Sequence, residues 1–268
     1  MQSTRDNTAV DWFAGPLGAR VLREETALSQ VALEDVFGFE LLQVGVWGPT
    51  RHLLTAARTQ HTTLLAPTSG PGVTLCAPMT SLPFASDSID AILLPHTLEL
   101  VEDPYAVLRE AERVLVAEGC LMIACFNPWS GWGARRLFAH HFRRPAFPPQ
   151  MRRMLSETRL RDWMALLDFE VANVYGYLSP IPATRRPPKE SDGTIRQAEY
   201  RPRRALTAGA YLLKARKRVQ TLTMVRPKRR ARQLVLVPAA EATSKVGSGK
   251  IGSNKVGSHK VTPDDAHS

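Results

Sequence analysis

Two apolar runs without polar alternation, residues 91–94 and 121–126, flank an amphipathic stretch. Strands apolar on both faces belong in a sheet covered by helices on both sides. Between the runs, Val107, Leu108, Ala111, Val114 and Leu115 recur at helical spacing. Asp103 is placed to N-cap this helix, Pro104 suits its first position, and Gly119 stands where a left-handed stop is expected. Strand, helix and strand in this order predict a right-handed βαβ crossover. Upstream, Leu17, Val21, Leu22, Leu28, Val31, Leu33 and Val36 predict a helix or helix pair ending near Gly38. Residues 39–46, 62–66 and 73–77 read as three strands, Asp90 opens the fourth, and Leu53, Leu54, Ala56 and Ala57 suggest a short helix. Downstream, residues 134–142 read as a short helix. Leu160, Trp163, Met164 and Leu167 give an amphipathic helix stopped by Asp168, and residues 169–177 and 210–216 are further strands.

Charge and composition divide this 268-residue chain unevenly. The formal net charge is +10. Much of it follows Pro180, whereas residues 82–118 are acidic. Residues 1–15 are expected to be flexible, 16–222 to form one domain with a Pro/Arg-rich insertion at 179–204, and 223–268 to be a basic, disordered tail. The tail repeats a Lys, an aliphatic residue, Gly and Ser, a pattern with nothing to build a core from. No apolar run approaches the ~20 residues of a membrane span. The N-terminus lacks the basic and apolar regions of a secretory signal, so cytoplasm is the expected compartment. Cys76, Cys120 and Cys125 read as reduced core cysteines without metal-ligand spacing.

Residues 82–127 carry a more specific signal. Leu82-Pro83-Phe84, Ser88, Asp90, the buried strand, His96-Thr97-Leu98-Glu99 and Asp103-Pro104 together resemble the class I S-adenosylmethionine-dependent methyltransferases of the type 11 group. By order of elements the resemblance covers residues 39–216. It implies a Rossmann-like α/β fold: a seven-stranded, mostly parallel sheet with helices on both faces and an antiparallel edge strand. It also implies S-adenosylmethionine as cofactor, with Gly45, Val46, Trp47, Met79, Leu82, Leu94 and Pro95 as the cofactor-binding positions. His96, after the fourth strand, is the candidate base. Phe84 and Asp90 read as core packing and turn support, and Glu99 as a support for the loop.

The chain departs from the family at its polar anchors. The family turn is an acidic residue followed by G-x-G-x-G. Here Gln43 holds the acidic position, Gly45 matches the first glycine, Trp47 takes the second place and Pro49 the last. Ala66 and Pro67 stand where an acid holds the ribose hydroxyls, and Pro78 where an Asp meets the adenine amine. The expected activity is methyl transfer to an unidentified, small-molecule acceptor. Two alternatives stay open: a catalytically silent binding or scaffold protein, and an RNA-modifying methyltransferase that contacts nucleic acid through the basic appendages. No metal, membrane or oligomeric partner is read from the sequence.

Overall fold

The computed structural model describes residues 12–49, 51–138, 147–148, 150–178 and 208–218. The elements are α1 (Pro16–Leu33), β1 (Glu40–Val44), a 3-10 turn (His52–Leu54), β2 (His61–Ala66), β3 (Leu75–Cys76), β4 (Ile89–Pro95) and α2 (Thr97–Leu100). They continue with α3 (Pro104–Val114), β5 (Leu115–Phe126), α4 (Gly131–Leu137), α5 (Glu157–Leu166), β6 (Phe169–Tyr177) and β7 (Ala210–Lys217). The seven strands order as β3-β2-β1-β4-β5-β7-β6. Strands β1 to β5 pair in parallel, while β7 is antiparallel to both β5 and β6. The antiparallel strand therefore lies one place in from the edge, and β6 closes the sheet.

Alternation along the strands explains the unbroken apolar runs. Ile92, Leu94, Leu121 and Ile123 face one core with Val107, Leu108 and Ala111 of α3 and Leu160 and Met164 of α5. Ala91, Leu93 and Met122 face the other, with Val21, Leu28 and Ala32 of α1. Each strand is thus removed from water on both sides.

The cap on α3 is as the sequence predicts: Asp103 Oδ1 accepts from Ala106 N at 3.0 Å, with Pro104 opening the helix. The predicted stop is not. The chain leaves α3 straight into β5, with Leu115 already extended, and the positive φ falls on Glu118 rather than Gly119. Gly119 is needed for closeness instead, because a Cβ there would lie 2.8 Å from the Val116 carbonyl oxygen. Asp168 does take the left-handed stop after α5, with φ 56.

Side chains replace a missing crossover helix between β3 and β4. Arg113 of α3 donates to the carbonyls of Leu82 and Phe84 at 2.9 and 3.0 Å, and Glu110 accepts from Leu82 N at 2.8 Å. Phe84 packs against the α3-side core. Asp90 Oδ2 accepts from the amides of Phe39 and Glu40, fixing the entry to β1. On the α1 face, Lys214 is 2% exposed. Its ammonium donates to the Ala32 carbonyl at the end of α1, at 2.8 Å, and pairs with Asp35.

Flexibility was expected throughout residues 1–15, but 12–14 form a helical turn. Trp12 is buried, and Trp12 and Phe13 pack on Trp47, so aromatic burial orders this stretch. Residues 1–11, the insertion at 179–204, the tail at 223–268, and His140 and His141 lie outside the described residues. Among the described residues no helix is long and apolar enough to cross a membrane.

Candidate functional site

Open α/β sheets bind ligands at the carboxyl ends of their strands, where the strand order reverses. Here that point lies between β1 and β4. The chain leaves β1 through Gly45, whose φ of 93 suits glycine. A side chain would not fit either, since a Cβ on Gly45 would sit 2.9 Å from Thr97 Oγ1. Gly45 N donates to Leu65 O of β2 at 2.8 Å, and Thr97 Oγ1 donates to Val44 O. Gln43 is buried and its Nε2 donates to Gly45 O at 3.0 Å. Its Oε1 is buried with no hydrogen-bond partner in the protein. A buried acceptor left unpaired costs about 1–3 kcal/mol, so this atom is suited to a ligand donor. Val46, next in the turn, is 42% exposed.

Trp47 turns the other way. It is 2% exposed and lies in the core beneath α1. Its Nε1 donates to Glu25 Oε2 at 2.6 Å. Its ring stacks on the His96 imidazole with centroids 4.1 Å apart. His96 is fully buried and bridges two carboxylates: Nδ1 is 2.5 Å from Glu99 Oε2 and Nε2 is 2.7 Å from Glu25 Oε1. Tyr177 donates its phenol to Glu25 Oε1 at 2.8 Å, and the Phe126 amide donates to Glu99. The cluster ties α1, the turn after β1, the loop after β4 and the ends of β5 and β6 to one another.

Its electrostatics follow from the burial. Desolvation alone would depress the His96 pKa, but the charges and hydrogen bonds of Glu25 and Glu99 outweigh it and raise the value to about 9. Burial pushes the Glu99 carboxyl up, against the pull of His96. The two carboxylates thus favour the protonated imidazole at neutral pH.

His96, the candidate base, is therefore placed inside this cluster, with both ring nitrogens within hydrogen-bond distance of a carboxylate. Trp47 and Leu94, expected as cofactor contacts, are both buried. Trp47 belongs to the α1-side core, and Leu94, fully buried, to the α3-side core. Leu82 is buried and held by Glu110, while Met79 packs half-buried against the α3-side core. Gly45 and Val46 do lie together in the turn. Pro95 lines a small crevice with Glu25, Ser29, Leu53, Tyr177 and Leu212. The nucleoside-side departures stand as the sequence has them: Ala66 ends β2 without a carboxylate, and Pro78 is exposed.

Glu25, Tyr177 and Lys214 were not singled out from the sequence. Glu25 left a trace there, because a carboxylate four residues after Val21 and three before Leu28 falls on the buried stripe of α1. Tyr177 and Lys214 left none; their partners lie 152 and 182 residues away.

Residues 49–123 match the family profile described as a methyltransferase domain. Over that stretch the chain is similar to a methyltransferase domain. That match begins at Pro49, the last position of the altered glycine turn, and ends inside β5. A relative in Escherichia coli strain K12, the uncharacterized protein YafS, is 38% identical over 136 residues, covering 51% of this chain and 55% of that one. An uncharacterized Mycobacterium tuberculosis protein, Rv2003c, is 31% identical over 150 residues, 49% of each chain. The chain thus spans about half the length of the curated relatives it matches. Among solved structures, a Thermotoga maritima S-adenosylmethionine-dependent methyltransferase, described as a possible histamine N-methyltransferase, superimposes with a TM-score of 0.57. It is 20% identical, over 78% of this chain and 93% of that one. The fold is that of the class I S-adenosylmethionine-dependent methyltransferases.

Proposed function

We propose that the protein transfers a methyl group from S-adenosylmethionine to a small-molecule acceptor. The observation that carries this reading is the unpaired Gln43 Oε1, buried beside Gly45 at the end of the central strand. The cofactor's amino-acid end bears an ammonium, a donor of the kind this acceptor lacks. Gly45 and the exposed Val46 give a turn on which that end would rest. The nucleoside end would rely on backbone groups and apolar contact near Ala66 and Met79, since no carboxylate stands at Ala66 or Pro78. The residues present therefore fit the cofactor, with fewer charged contacts than the family pattern has.

The sulfonium supplies a methyl group already attached to a good leaving group. What remains for the chain is to orient the two reactants and exclude water. The His96 cluster is buried, with its carboxylates engaged by His96, Trp47, Tyr177 and the Phe126 amide. It holds the strand ends in place. Glu25 and His96 tie α1 to the loop after β4.

Titration calorimetry with S-adenosylhomocysteine tests the reading. Binding with micromolar affinity, one molecule per chain, is the expected result. No heat at millimolar ligand would leave a silent binding domain, the alternative that Ala66 and Pro78 favour. RNA methylation through the basic segments is a separate outcome, read from methyl incorporation into RNA.

A further inference from the structure

Class I turns reach their ligand through a series of glycines, which bend tightly and leave room for close approach. This chain has Trp47 at the second glycine position, and two physical outcomes are open. The indole either fills space meant for the ligand or takes over the work of holding the turn. The geometry decides between them. The Trp47 ring points beneath α1, not outward with Val46, and each part of it is engaged. Its N–H meets the Glu25 carboxylate at 2.6 Å, one face lies on the imidazolium of His96, and Trp12, Phe13 and Phe126 surround it. A cation over an indole face adds electrostatic attraction to the packing. Glu25 in turn accepts from His96 and Tyr177, so the anchor is itself fixed from β4 and β6.

We propose that Trp47, anchored by Glu25 and His96, is the positioning residue of the cofactor turn, doing with a buried side chain what the missing glycines do with backbone. The inference rests on the cofactor reading above and adds to it where the stiffness of the turn comes from. The indole acts through the turn: it fixes where Gly45, Val46 and the unpaired Gln43 oxygen stand. Preorganisation of this kind shows in affinity, because a mobile turn must be ordered when the ligand arrives.

The test compares S-adenosylhomocysteine affinity by calorimetry in the full chain and in Trp47→Gly, Trp47→Phe and Glu25→Gln. Restoring glycine should weaken binding about tenfold, while Phe, which keeps the stack on His96, should lose about threefold. Glu25→Gln should bind about fivefold more weakly and speed hydrogen exchange at the amides of Gly45, Val46 and Trp47. An obstructing indole would give the opposite sign: Trp47→Gly binding as tightly as the parent or better overturns the proposal. Should Trp47→Gly fail to fold, Glu25→Gln decides; unchanged affinity and unchanged exchange there also overturn it. A parent chain that binds no S-adenosylhomocysteine removes the cofactor reading together with this one. A parent that binds, with insensitive variants, removes this one alone.

Discussion

Trp47 and Glu25 meet through a 2.6 Å hydrogen bond across 22 residues of sequence, indole N–H to carboxylate, with both side chains buried. That contact joins the turn after β1 to the middle of α1. With His96 between Glu25 and Glu99, it forms a buried polar network at the carboxyl ends of the strands.

Stability should fall on the alkaline side through His96. Its folded-state pKa, about 9, lies above the ordinary 6.5. Its contribution is therefore complete below about 6.5 and is lost as pH rises through about 9. Urea unfolding at pH 7 and at pH 9.5 should show a drop for the parent chain. His96→Gln should be less stable at pH 7 and nearly flat across the same interval. A parent curve as flat as the variant's would refute the ionic description of the cluster.

Lys214 should matter more than its partner Asp35. The ammonium is buried and serves the carbonyl at the end of α1, whereas Asp35 is 60% exposed. Lys214→Met should destabilise by roughly 1.5–3 kcal/mol, the range for a hydrogen bond to a charged group. Asp35→Asn should cost under about 1 kcal/mol, as exposed ion pairs do. Equilibrium denaturation of the two variants measures the difference, and equal effects would count against the capping role.

Gln43→Glu should strengthen S-adenosylhomocysteine binding about threefold, because a charged acceptor holds an ammonium more strongly than an amide does. The same change should lower the melting temperature without ligand, since the new carboxylate is buried. Gln43→Leu should weaken binding. Calorimetry beside thermal melts separates the two effects; affinity unchanged in both variants would place the ligand elsewhere.

The three thiols should react in a fixed order. Cys76 is exposed on β3 and alkylates first in the native protein. Burial pushes the Cys120 thiol up to about 11 and raises that of Cys125 well above the usual range. Both should stay unreacted at pH 8 until the chain unfolds, because the thiolate is the reacting form. Mass spectrometry of timed iodoacetamide reactions reads this order.

Arg113→Ala should loosen one loop. Its guanidinium spans the Leu82 and Phe84 carbonyls, so exchange at the Leu82 amide should quicken severalfold. Because the arginine is partly exposed, global stability should fall by only about 1 kcal/mol. Exchange rates at Leu82 equal to those of the parent would exclude the staple.

Local pattern was enough for the elements and the class. The runs at 91–94 and 121–126, the cap at Asp103 and the stripe from Val107 to Val114 are written in neighbouring residues, and the fold follows them. So does the loss of charged anchors at Gln43, Ala66 and Pro78, which is a matter of residue identity. Tertiary structure alone decided what His96 and Trp47 are. A histidine at a strand's carboxyl end is a base if its ring keeps a free nitrogen. Here Glu25, from 71 residues away, and Glu99 claim both. An indole in a glycine turn blocks or braces according to which side of the sheet it takes, and α1 supplied the pocket that drew it inward. Side-chain direction and protonation depend on partners brought together by the folded sheet, and no local window of sequence contains them.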